Sequence, residues 1–168
     1  MFSRTIFEMN RGDLQLNILR SDPSDFPVLL DFMLEVDRIE SLRGNRSPGQ
    51  LITDQTVALL ESCESFLAIV QSEIIGAVSV LVQSLPEAKG QPDKKLGHIY
   101  LLAVKENWRN RGIGSRLLQS ALSWLKDEKI SEITLTVNTE NDHAVRLYRA
   151  FGFDPVALTM HRRIDIEG

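Results

Sequence analysis

The chain has one cysteine in 168 residues, Cys63, and that excludes an internal disulfide and any thiolate metal cluster. Beside Ser65-Phe66-Leu67 the thiol reads as a reduced structural group rather than a reactive one. Long apolar runs are missing as well. The longest, such as Ile99 to Val104, fall far short of a bilayer, so no membrane span is expected. The first residues mix Arg4 and Arg11 with Glu8 and Asp13 and hold no continuous apolar stretch, which argues against a signal or transit peptide. Cytoplasm is the expected location. Basic excess is absent: 19 Lys and Arg stand against 23 Asp and Glu, a net charge of −4, so nothing encourages a nucleic-acid partner. The sequence shows neither an internal repeat nor a low-complexity tract.

What is present fits one globular domain over residues 1–168, with 43% hydrophobic and 25% charged residues. Leu14 to Leu19 alternates as a half-buried strand. Ser21 to Asp25 offers turn and N-cap chemistry, and Phe26, Leu29, Leu30, Phe32, Met33 and Val36 follow at helical spacing. Gly44 to Gln50 reads as a loop, and Thr53-Asp54-Gln55 precedes a shorter helix. Ser65 to Val70 and Ile74 to Val82 are β-branched runs around Gln71-Ser72-Glu73, a hairpin signal. Ser84 to Gly97, rich in Pro, Gly and Lys, reads as an exposed loop, either a connector or a substrate-facing flap.

His98 to Val104 is the next expected strand. Gly112 opens a helix with Ile113, Leu117, Leu118, Ala121, Leu122 and Leu125 on one face, and Ser115, Arg116, Gln119, Ser120 and Lys126 on the other. Ile133 to Val137 is a strand, and Asn141 to Ala150 a short helix ending at Phe151-Gly152-Phe153. Val156 to Ile164 can add a last strand or two. This order predicts a mixed α/β fold.

The chemistry concentrates where the strand ending at Val104 runs through Arg109-Asn110-Arg111-Gly112-Ile113-Gly114-Ser115 into a helix. Such a turn presents unpaired backbone N–H groups at the positive end of a helix dipole, an anion site. Gly112 and Gly114 let a phosphate approach the main chain, while Arg109, Arg111 and Arg116 add charge suited to phosphate oxygens. A pyrophosphate matches this pattern. The Gly-Lys-Ser/Thr of a Walker loop is missing, and the two glycines come too late in the chain for a dinucleotide fingerprint. Taken alone, Arg-x-x-Gly-x-Gly leaves open a tight turn with solvated arginines.

Downstream, Asn141, Ala144, Leu147-Tyr148 and Gly152-Phe153 complete a second signature. With both, the sequence resembles the GNAT superfamily of N-acetyltransferases over about His98 to Phe153, a third of the chain. The resemblance implies a mixed, mostly antiparallel sheet flanked by helices and splayed between its fourth and fifth strands. It implies acetyl-CoA in that opening as acetyl donor, with no metal. The pantetheine arm would pair with Leu102, Ala103 and Val104, and the pyrophosphate would sit on the N–H groups of Arg111 to Ser115. Asn141 would hydrogen-bond the cofactor, although it also suits a helix N-cap. Tyr148 would aim its hydroxyl at the sulfur, unless it only packs a short helix.

The implied reaction is direct transfer to a primary amine of a small molecule, a peptide or a protein. Family members commonly dimerise, and neither a nucleic acid nor a membrane is implied. The backbone N–H of Leu102 would steady the oxyanion and Tyr148 would protonate the leaving thiolate. The amine needs a base, and the glutamate that many members carry on a splayed strand is not obvious here: Thr136 holds the middle of the later strand, and Glu132 stands only at its start. His98 is the expected base, directly or through a water, with Tyr100 as substitute. Simple alternation puts His98, Tyr100 and Leu102 on one face. Some arylalkylamine acetyltransferases carry histidines at the positions of His98 and Tyr100. A solvent-facing His98 and a non-catalytic acyl-CoA sensor of the same fold are the competing readings. His143 and His161 read as surface residues, and Trp108 and Trp124 as packing.

Overall fold

The computed structural model describes residues 5–11, 14–43, 52–86, 94–158 and 160. Two compact units divide the chain, Met1–Thr136 and Val137–Gly168.

The first unit is built on a six-stranded sheet in the order β1 (Thr5–Arg11), β2 (Leu14–Arg20), β3 (Glu64–Val70), β4 (Glu73–Leu85), β5 (Lys94–Val104) and β6 (Glu132–Leu135). All neighbours run antiparallel except β5 and β6, which are parallel. The sheet is thus mixed and mostly antiparallel, as expected, with one strand more at its edge. β1 was not foreseen, because Glu8, Asn10 and Arg11 interrupt its apolar pattern and an edge strand pairs on one side only.

The β3–β4 turn carries Gln71 and Ser72 at φ 48° and 68°, the doubly left-handed turn whose twist matches a tight hairpin. β4 and β5 pair from Gly76↔Val104 to Leu85↔Lys94, so much of the expected Ser84–Gly97 loop is strand. The exposed lysines that suggest a loop there lie on a ladder that outruns the core. Residues 87–93 of that loop, and the Gly44–Gln50 loop, lie outside the described residues.

Two layers of helix cover the sheet. Asp22 caps a single 3-10 turn that leads into α1 (Phe26–Arg43), and Thr53 caps α2 (Asp54–Glu61). Leu29, Phe32 and Met33 of α1 and Leu60 of α2 pack on Leu67, Ala77 and Leu101. Their neighbours Phe66 and Gly76 face the other way, toward α3 (Ile113–Asp127): Phe66 meets Trp124 at 6.2 Å. A Cβ on Gly76 would come within 3.1 Å of Leu117 Cδ1. Alternation of side chains along a strand places the two layers on opposite faces. α3 buries Ile113, Leu117, Leu118, Ser120, Ala121 and Leu125. Ser120 was expected on the solvent side; it is small enough to be enclosed beside Ala121 and Leu117. Lys129 at φ 61° ends α3, with Ile130 N–H donating to Leu125 O at 2.9 Å.

In the second unit, Asn141 caps α4 (Asp142–Ala150), its Oδ1 accepting from Ala144 N–H at 3.3 Å. Gly152, at φ 85°, stops the helix: its N–H reaches Arg149 O, and Phe153 N–H reaches Tyr148 O. Val156 to Leu158 and Met160 form no strand, and the rest of that expected segment lies outside the described residues.

Candidate functional site

β5 is the centre of the candidate site. β6 pairs with it only from Leu96↔Glu132 to Ile99↔Leu135, whereas β4 stays paired with it up to Val104. From Tyr100 onward no strand among the described residues pairs with β5 on the side away from β4, which is the expected splay. Lys105 N–H donates to Ile75 O at 2.9 Å. Ladder bonds alternate along an antiparallel pair, so the N–H and C=O of Leu102 and Val104 turn away from β4 into that opening, while Ala103 bonds inward.

A β-bulge interrupts this ladder. Ser79↔Leu101 is followed by Val80↔Ile99, which leaves Tyr100 as an extra residue on β5. The bulge overturns simple alternation. His98 opposes Leu81, on the face of Ala77 that meets α1 and α2, and Tyr100 packs into the same cluster. Leu102 opposes Val78 and faces α3. His98 and Tyr100 thus share a face, with ring centroids 6.5 Å apart, and Leu102 does not join them.

Polar partners fix both rings. His98 Nδ1 lies 2.9 Å from Thr134 Oγ1. Tyr100 Oη donates to Thr56 O in α2 at 3.1 Å. Burial pushes the half-buried His98 imidazole below its ordinary value and the Tyr100 phenol above, the latter helped by nearby Cys63. His98 is therefore neutral near pH 7. Cys63 donates to Leu59 O, and burial lifts its thiol to about 12. It is inert, as expected.

The phosphate turn follows β5. After a 3-10 turn at Glu106–Trp108, Asn110 takes φ 61° and Gly112 φ 77°. Asn tolerates this region, whereas a β-carbon elsewhere costs about 1–2 kcal/mol there. The first backbone bond of α3 is Arg116 N–H to Gly112 O at 3.2 Å, so Ile113, Gly114 and Ser115 precede it as the orphan donors of the helix start. Gly112 caps without a side chain, and nothing lies within 4 Å of the Cβ it lacks.

A cleft of about 800 Å³ borders this turn, lined by Asn110 to Ile113, Ser115, Arg116 and Gln119, with Trp108, Leu16 and Val70. It extends toward β2 and β3, through Leu16 and Val70. Arg111 sits over the Trp108 ring at 5.0 Å, an exposed contact worth about 0.5–1 kcal/mol. Arg109 is used differently. Its Nε donates to Val104 O at 2.9 Å and a terminal nitrogen approaches Glu35 at 3.4 Å, so it braces the turn against β5 and α1. It takes up one of the outward carbonyls of β5.

His98, Tyr100, Leu102 to Val104 and Arg109 to Ser115 all belong to the first unit; Asn141 and Tyr148 belong to the second. Tyr148 stacks edge-on with Phe153 at 5.9 Å, and His143 is exposed, as read from the sequence. Thr134, Thr56 and the cleft role of Trp108 were missed. Trp108 stands one residue before the Arg-x-x-Gly string, a signal available in the sequence. Thr134 becomes visible only with the β5–β6 register.

The acetyltransferase (GNAT) family model matches residues 31–153. The chain belongs to this family. An N-alpha-acetyltransferase of Sulfurisphaera tokodaii is 32% identical over 105 residues, 61% of this chain and 63% of that protein. The chain spans about three-fifths of the length of such curated relatives. Among solved structures, the BH1408 protein of Bacillus halodurans superposes with a TM-score of 0.71 at 21% identity, covering 88% of this chain and 99% of that one. A Clostridium acetobutylicum predicted acetyltransferase with acetyl-CoA reaches 0.66 at 15% identity, covering 88% and 96%. These two likenesses show the GNAT fold. No helix among the described residues is long and apolar enough to cross a membrane.

Proposed function

We propose that this chain is an enzyme that transfers an acetyl group directly from acetyl-CoA to a primary amine, of a peptide N-terminus or a small molecule. The observation that carries the reading is the turn into α3, where orphan N–H groups, an open Gly112 and Arg111 and Arg116 converge. This donor set suits a pyrophosphate. Acetyl-CoA supplies the acetyl group as a reactive thioester; the remaining work falls to the protein.

In this reading Arg111 to Ser115 hold the pyrophosphate from their main chain, with Asn110 beside them and Arg109 bracing the turn. The outward N–H and C=O of Leu102 bind the pantetheine arm, and the Leu102 N–H doubles as oxyanion donor. Val104 offers its N–H, and Ala103 keeps the strand on β4. Asn141 holds the cofactor through its side chain, and Tyr148 supplies the proton for the departing thiolate. His98 takes the proton of the acceptor amine, a role its neutrality near pH 7 supports, with Tyr100 beside it. No metal takes part. The N-alpha-acetyltransferase relatives support the peptide N-terminus as one acceptor class. A single domain over residues 1–168, located in the cytoplasm, completes the proposal.

The test is thiol release from acetyl-CoA against a panel of peptide N-termini, lysine peptides, polyamines and aminoglycosides. Release should depend on a primary amine. Tyr148→Phe keeps the ring and should lower kcat about a hundredfold or more, with acetyl-CoA affinity little changed. Tight acetyl-CoA binding with no amine-dependent release from any acceptor would instead make the chain a sensor.

A further inference from the structure

The strands β5 and β6 last pair at Ile99↔Leu135, and one step before that point His98 sits directly opposite Thr134. The two side chains meet there at 2.9 Å, at the inner end of the opening. We infer that Thr134 is the positioning residue of His98: its hydroxyl accepts from Nδ1–H, fixing the tautomer that leaves the Nε2 lone pair free for the acceptor. The inference rests on the reading of His98 as the base.

The proton balance favours this direction. The acceptor ammonium loses one N–H bond and Nε2 gains it, giving a free amine and an imidazolium that later yields the proton to water. Nδ1–H donates to Thr134 Oγ1 before and after the transfer, so the ring need not turn. The opposite arrangement, with Thr134 donating to Nδ1, would place the hydrogen on Nε2 and block it. Around the pair, Leu81 opposes His98 from β4, Tyr100 lies on the same strand, and Glu132 on β6 is paired with Lys94. Among the described residues no carboxylate hydrogen-bonds or ion-pairs with the imidazole, whose shift comes from burial. A neutral hydroxyl favours the imidazolium less than a carboxylate would, so burial still leaves the base uncharged.

The test compares Thr134→Val, Thr134→Ser and His98→Gln by pH profiles of kcat/KM, together with imidazole nitrogen chemical shifts of the wild type assigned through His98→Gln. Thr134→Val should lower kcat about tenfold with KM within about twofold, and move the acidic limb to lower pH, because the lost bond is stronger to the imidazolium. Thr134→Ser should restore both. The nitrogen shifts should report hydrogen on Nδ1. Hydrogen on Nε2 overturns the Thr134 role, and with it the use of Nε2 as acceptor; a Thr134→Val profile like wild type while His98→Gln abolishes the limb overturns the Thr134 role and leaves His98 as base. A wild-type profile in His98→Gln overturns the base itself. The nitrogen shifts need no variant to be active, so they decide the tautomer even if Thr134→Val fails to fold.

Discussion

His98 illustrates how one inserted residue decides an environment. The bulge at Tyr100 keeps both rings on the side of α1 and α2, where burial disfavours the imidazolium. A histidine whose value in the fold lies below its unfolded value contributes stability that is complete above the unfolded pKa, about 6.5. That contribution is lost as pH falls through 6.5 toward the folded value. Urea midpoints of wild type should therefore fall further between pH 7.5 and pH 5 than those of His98→Gln; parallel losses would show that His98 is not desolvated. Single-residue chemistry was partly legible. Asn141 as N-cap, Gly112 as helix start, the inert Cys63 and the solvated His143 all follow from local rules. The shared face of His98 and Leu102 was misread, because a bulge is a property of two paired strands and alternation along one cannot reveal it.

At the scale of elements, close approach between sheet and helix is set by Gly76. A Cβ there would lie 2.8 Å from Ala103 O and 3.1 Å from Leu117 Cδ1, and the first of these is backbone that cannot move without shifting β5. Gly76→Ala should destabilise by about 1–3 kcal/mol, read as a lower denaturant midpoint at unchanged slope. An unchanged midpoint would mean that β5 gives way at no cost. Helices α1 to α4 could be read from capping residues and apolar spacing, β2 from alternation, β3 and β4 from β-branched runs, and β5 and β6 as apolar strands on either side of α3. The parts that could not be read are those held by partners rather than by pattern. β1 is a charged edge strand, and the β4–β5 ladder extends through lysines.

For the whole molecule, membership of the GNAT family and the splayed sheet agree with the two signatures read at the start. The site depends on one arrangement in the first unit: β5, open along one edge, delivers the chain directly into the N-terminus of α3. The central claim is that this turn binds acetyl-CoA, and titration calorimetry of wild type against Gly114→Val tests it most directly. On the proposed placement of the pyrophosphate, valine puts a branched side chain beside the main chain that the phosphate approaches. Losing one charge-assisted bond, about 1.5–3 kcal/mol, should weaken acetyl-CoA binding roughly ten- to a hundredfold. Unchanged affinity in a Gly114→Val protein with wild-type thermal unfolding would contradict the account.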